Sequence, residues 1–318
     1  MKRQVFLLAA VAAVAAGCTK SETVGTADGK WIRFDNAFVG NATKAVTTLD
    51  KDNINKMYVF GTSTEYPNLF RNTEVAKEGS SWVYSNLKEW KNGQTYTFAA
   101  YSDGNNKIES GVSWNKDAKQ LSISGYTVSD EKQNDLVVSI ASNANSLQTE
   151  NQKVAFAFSH ALAKIKFTIT SELGDENPIT ISEFKVGDNN DMYTNGDLTF
   201  ANSDNPVSRW NTKDKTQGQL KATFAEAAKT TEPSESDELV VIPQKINSLS
   251  ISFKAKFSEG EEGEEKAING TISDIDWQAG NCYNYKASIT GKQMDVIQFA
   301  APTVSPWGPE EEGSVSIQ

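Results

Sequence analysis

"VAFAFSHALAKIKFTIT", residues 154–170, is the stretch on which the fold turns. Val154, Phe156, Phe158 and Leu162 place apolar side chains on even positions, whereas Ile165, Phe167 and Ile169 place them on odd ones. Side chains alternate between the two faces of a strand, so a strand cannot change its inward face without a bulge or a break. The change of parity predicts a long, kinked strand. There the chain passes from a first β-sandwich into a second.

Strand patterns continue on both sides of this stretch. Residues 56–61, 95–101, 135–141, 180–186, 239–242, 248–257 and 283–290 read as strands, separated by clusters such as Asp103-Gly104-Asn105-Asn106 and Asp188-Asn189-Asn190. Many short strands between turn signals predict an all-β sandwich architecture. The best helix candidate is a turn or two over residues 223–229, "TFAEAAK". Near the start, "WIRFDNAFV", residues 31–39, alternates Ile32, Phe34 and Phe38 with polar or small residues. It is followed at once by "GNATKA", residues 40–45, in which Lys44 offers a trypsin-like protease a place to cut.

The first eighteen residues, "MKRQVFLLAAVAAVAAGC", join a basic start to an apolar run too short to span a bilayer. They read as a signal peptide over residues 1–17, and the small residues before Cys18 match a bacterial lipobox, with Cys18 as the acylated mature N-terminus. Removing residues 1–17 takes away Lys2 and Arg3 and no acid, which leaves 29 basic and 41 acidic side chains, a formal net charge of −12. That balance argues against nucleic acid as a partner, since phosphates require basic surface. With Cys18 lipidated, Cys282 has no intramolecular partner, and core packing rather than disulfides holds the fold.

Catalytic chemistry is absent from the pattern. His160 is the sole histidine, and its neighbour Ser159 would point to the opposite face of a strand, which disfavours a Ser-His-Asp triad. No Cys/His cluster suits zinc, and no glycine-rich loop is placed to cradle phosphate. The oxygen-rich loop at residues 186–197 lacks EF-hand spacing, and the acidic run at 258–266 reads as a solvated hairpin tip. The chain is expected to be no enzyme and to need no cofactor or metal. At the C-terminus, Ile297, Phe299, Val304, Trp307, Val315 and Ile317 recur in an extended pattern broken by Pro302, Pro306 and Pro309. Two readings stand: a tail that adds a strand to another protein's sheet, or a last edge strand folded back on its own domain.

The lipobox, "IRFDNAFVGNATKA", "FAFSHALAKIKF", "WQAGNCYNYKASITG" and the "TVSPW…GSVSIQ" ending together resemble the fimbrillin family, the type V pilins. The resemblance implies two transthyretin-like β-sandwich domains in tandem behind a lipoprotein signal peptide. The expected division is a lipidated linker over 18–30, an N-terminal sandwich over 31–158, a C-terminal sandwich over 159–292 and a tail over 293–318. It implies a fimbrial subunit exported as a lipoprotein precursor to the outer membrane, processed at the cell surface and polymerised by donor-strand exchange for adhesion or biofilm formation. Its implied partners are a processing protease, other fimbrial subunits and a host or bacterial surface ligand. By that resemblance Lys44 is the cleavage residue, although the family's best-studied processing follows arginine. Ile32, Phe34 and Phe38 form a removable plug, and the apolar residues from Ile297 to Ile317 form the donor. The alternative is a permanently lipidated, monomeric surface protein that binds a glycan or host ligand.

Overall fold

The computed structural model describes residues 30–38, 49–50, 52–141, 153–201, 207–258 and 265–307. Every regular element in them is a β-strand, and the protein is all-β. The first nine strands are β1 (Arg33–Phe38), β2 (Lys56–Ser63), β3 (Phe70–Glu78), β4 (Ser81–Val83), β5 (Tyr96–Asp103), β6 (Val112–Asn115), β7 (Gln120–Thr127), β8 (Leu136–Ala141) and β9 (Lys153–His160). Next come β10 (Ala163–Ser171), β11 (Ile179–Val186), β12 (Met192–Tyr193), β13 (Asn195–Ala201), β14 (Val207–Asn211), β15 (Gln217–Gly218), β16 (Leu220–Ala222), β17 (Ser234–Glu235) and β18 (Leu239–Val241). The last are β19 (Lys245–Phe257), β20 (Glu265–Asp276), β21 (Asn281–Ile289), β22 (Val296–Gln298) and β23 (Thr303–Pro306).

A seven-stranded sheet runs β1-β9-β8-β5-β2-β3-β4. Its middle strands β2, β5 and β8 are buried on both faces, so their sequences are nearly continuous apolar runs. Phe98, Phe156 and Phe158 face one cluster, while Tyr58, Tyr101 and Val138 face another. A four-stranded sheet, β14-β13-β7-β6, shares the second cluster through Leu121, Ile123, Leu198 and Phe200. Two five-stranded sheets enclose the third cluster: one runs β17-β10-β21-β23 with β18 also on β10, and the other runs β16-β11-β19-β20-β22.

The parity change at residues 160–163 is a break in the chain's path. β9 ends at His160 in the seven-stranded sheet, and β10 begins at Ala163 in a five-stranded one. Ala161 and Leu162 between them are fully buried, and Trp210 donates its indole N–H to the Ala161 carbonyl at 2.6 Å. β13 returns to pair with β7 and carries β14 on its other edge, so the four-stranded sheet draws on both sides of residue 158.

The expected helical turn at 223–229 is corrected. Ile179 and Ala228 exchange both backbone hydrogen bonds, and Phe224 bridges to Ser236. Phe224 also packs against Phe184, 5.2 Å between centroids. These contacts hold the segment extended despite the helix propensity of its Ala, Glu and Lys residues.

Candidate functional site

The two ends of the described chain are built differently from the strands between them. β1 is an edge strand that pairs parallel with β9, from Arg33↔Lys153 to Phe38↔Phe158. Just before β1, Ile32 donates its N–H to the Lys88 carbonyl and Trp90 donates to the Lys30 carbonyl, both at 2.8 Å. Residues 30–32 are thereby tied to residues 88–90, while β1 is tied to β9.

Apolar burial holds it there. Ile32 is 0% and Phe34 2% exposed. The Phe34 ring lies 5.4 Å from Phe70, 5.6 Å from Tyr84 and 5.9 Å from both Phe98 and Phe156. Burying two such side chains stabilises the closed form by roughly 1.5–3 kcal/mol each. Tyr84 donates its phenol to the Ile32 carbonyl at 2.8 Å. Burial pushes that phenol up to about 12, so it stays protonated as a donor at neutral pH. The side chain of Phe38, and all of Cys18 and Lys44, lie outside the described residues.

At the other end, the described part of the C-terminal segment is folded onto its own chain. β22 pairs parallel with β20, Gly270 opposite Ile297. Ile297 is 1% exposed in the core. Gly270 permits this approach, because a Cβ there would come within 2.8 Å of Ile297 Cγ2 and 3.0 Å of Phe299 Cε2. Phe299 is partly buried, edge-on to Phe167 at 5.8 Å. β23 pairs antiparallel with β21 and leaves Val304 52% exposed. Val315 and Ile317 lie outside the described residues.

Trp307 closes this segment over the junction of the sheets. Its ring stacks on His160, with centroids 4.6 Å apart, and Lys164 Nζ lies 4.7 Å from the indole. Its backbone N–H donates to the Gly280 carbonyl at 2.7 Å. His160 Nδ1 lies 3.0 Å from both carboxylate oxygens of buried Asp135, and the Leu49 amide donates to Asp135 Oδ2 at 2.8 Å. Lys164 pairs with Glu238 at 2.8 Å. The sole histidine thus holds a packing position between a carboxylate and an indole. Asp135, Leu49 and Glu238 were not legible as partners in the sequence, since each contact spans tens of residues.

The remaining polar candidates serve the fold. In the 186–197 loop, Asp188 bonds Lys185, and Asp197 bonds Lys215 and the Gly125 amide. The lysine hydrogen bond is the leading cause that lowers each of these carboxyls. Asp191 accepts from the Ser250 amide at 2.8 Å. Among the described residues, no group of three or more His, Cys, Asp or Glu side chains is placed to hold a metal. Burial raises the half-buried Cys282 thiol to about 11.

A sequence profile built for fimbrillin-like proteins matches residues 42–307. The chain belongs to the fimbrillin-like family. Family membership makes it a structural rather than an enzymatic protein. Among solved structures, a candidate cell adhesion protein from Bacteroides ovatus aligns with a TM-score of 0.53 at 13% identity, over 89% of this fimbrillin-like chain and 99% of that chain. A candidate cell adhesion protein from Bacteroides uniformis aligns with a TM-score of 0.48 at 16% identity, over 88% and 100%. The tip fimbrial protein Mfa3 from Porphyromonas gingivalis, with a C-terminal truncation, aligns with a TM-score of 0.40 at 8% identity, over 85% and 99%. No curated protein matches the chain.

Proposed function

We propose that this fimbrillin-like protein is a subunit of a surface fimbrium, assembled by exchange of its first strand and serving adhesion or biofilm formation. The precursor is held at the outer membrane by lipid on Cys18, at roughly 0.8 kcal/mol per buried methylene. Cleavage after Lys44 releases β1, and a strand from another subunit takes its place.

The observation that carries this reading is the seat of β1. It is a terminal edge strand whose loss leaves one edge of β9 unpaired and a pocket walled by Phe70, Tyr84, Phe98 and Phe156. An unpaired apolar edge is a template for another chain. A monomeric glycan binder would need exposed aromatic platforms. Among the described residues Tyr66, at 45%, is the most exposed aromatic side chain.

The test is the N-terminus of protein recovered from cells, read by mass spectrometry beside SDS gels of unboiled samples. A chain beginning at Ala45 in SDS-resistant ladders is expected. Monomer beginning at acylated Cys18 in wild-type cells overturns the proposal. Lys44→Ala should trap the lipidated precursor.

A further inference from the structure

We infer that the outer face of the sheet containing β10 and β21 carries a binding site for a carboxylate-bearing sugar, with Lys286 as the group that holds the carboxylate. The site names a ligand for the adhesion proposed above and rests on that reading for its biological use.

Strand alternation builds the site. Phe167 and Ile169 of β10, and Tyr285 and Ile289 of β21, point into the core, so Thr170, Lys286 and Ser288 turn outward. Parallel pairing sets Thr168 opposite Lys286 and Thr170 opposite Ser288. A wall stands beside β21, where Ala300 donates its N–H to the Lys286 carbonyl at 2.9 Å and Phe299 bridges to Ala287. Ile297 and Phe299 pack on the core, which leaves Val296, Gln298 and Ala300 on the outer side. Floor and wall enclose a recess of about 700 Å³.

Its lining differs from the surface around it. Residues 159–318 carry 25 acidic and 14 basic side chains, a formal net charge of −11. Among the described residues, no acidic side chain lines the recess, and Lys286 is its one charged group. Lys164 and Lys166, farther along the same face, are taken by Glu238 at 2.8 Å and Glu235 at 3.0 Å. No carboxylate of the described residues pairs with Lys286. Thr170, Ser288 and Thr290 add hydroxyls and Gln298 an amide, while Met294, Val296 and Ala300 form an apolar side. Val296 is 63% exposed there.

Each part matches a part of an acidic sugar. An ammonium–carboxylate contact is a charge-assisted hydrogen bond, stronger than a neutral one. Hydroxyl and amide side chains both donate and accept, as sugar hydroxyls do. The C–H face of the sugar ring covers the apolar side. No aromatic ring lines the recess for a neutral sugar to stack on, so the ligand has to bring charge. An extended peptide gains little, because β10 and β21 pair with each other at eight positions and with β17, β18 and β23 on their other sides. The floor therefore has no open edge for strand addition.

The test measures retention of the purified full-length protein on immobilised oligogalacturonate, oligoglucuronate and sialyllactose, each beside its methyl-esterified form, and on oligoglutamate. At least one acidic sugar is expected to bind, about tenfold more weakly once esterified. Lys286→Gln and Ala300→Trp, which remove the charge and fill the recess, should each weaken binding by about tenfold. Both positions are exposed, so both variants should melt like wild type. Lys256→Gln, an exposed lysine on β19 of the other sheet, should bind normally. Failure of every acidic sugar to bind overturns the site, as does equal binding of the esterified forms or indifference to both variants. Oligoglutamate held more tightly than the sugars, and lost with Lys286→Gln, makes the occupant an acidic peptide and overturns the sugar. SDS-resistant ladders without sugar binding leave fimbrial assembly standing and remove this site; sugar binding without ladders does the reverse.

Discussion

The indole of Trp307 and the imidazole of His160 lie face to face, with planes 4° from parallel and centroids 4.6 Å apart. The contact joins the last described residue to the last residue of β9. Asp135 extends it by accepting from the Leu49 amide while facing the same imidazole. One buried carboxylate therefore links the chain at Leu49 to the ring beneath which the C-terminal strands close.

Trp307→Ala removes a ring that is 3% exposed, together with its contacts to His160 and Lys164. Truncation of a buried tryptophan costs about 3–5 kcal/mol. The loss is expected first in β22 and β23, seen as faster limited proteolysis and amide exchange at residues 294–306, with a lower melting temperature. Unchanged proteolysis would show that the clamp does not hold the segment.

Phe34→Ala empties the four-ring pocket at a similar cost of about 3–5 kcal/mol. β1 should fray, and amides of β9 should exchange faster than those of β5. Trypsin should also cut earlier near Lys44. Protection of β9 equal to wild type would mean that main-chain pairing alone seats the strand.

Gly270→Val drives a side chain against Ile297 and Phe299. Overpacking of this kind costs about 1–3 kcal/mol. Amides at 296–299 should lose protection while β10 and β11 keep theirs.

Burial raises the Cys282 thiol from 9.0 to about 11. Two pH units correspond to roughly a hundredfold less thiolate near neutrality. Alkylation by iodoacetamide at pH 8 should be about a hundredfold slower in folded protein than in denatured protein. Because the folded state holds this proton more tightly, its contribution to stability is full below pH 9 and is lost as pH rises through 11.

Period-2 alternation in single segments made the all-β class legible, and the parity change between Leu162 and Ile165 marked where the path leaves one sheet for another. Partnerships between distant segments were not legible. Nothing near Phe34 names β9 as its neighbour, and nothing near Trp307 names His160. The misread residues 223–229 have good local helix propensity, but Ile179 bonds Ala228 and Asp237 bonds Thr223, partners that lie outside the segment and hold it extended. Likewise, the oxygen-rich 186–197 loop looks available for a cation until Lys185, Lys215 and three-dimensional neighbours such as Gly125 and Ser250 are seen to use its carboxylates.

The parallel seat of β1 also sets an order of events during folding. Asp35 reaches Lys153 across 118 residues of chain. Such non-local contacts form slowly, because a long loop must close before any pairing is gained. In refolding, the antiparallel neighbours β2, β3 and β5 can assemble while β9 still waits for its outer partner. For that interval each molecule presents the same vacancy that the proposed cleavage after Lys44 would create. Refolding at high protein concentration should therefore yield chains joined without any cut, and dilution should abolish them.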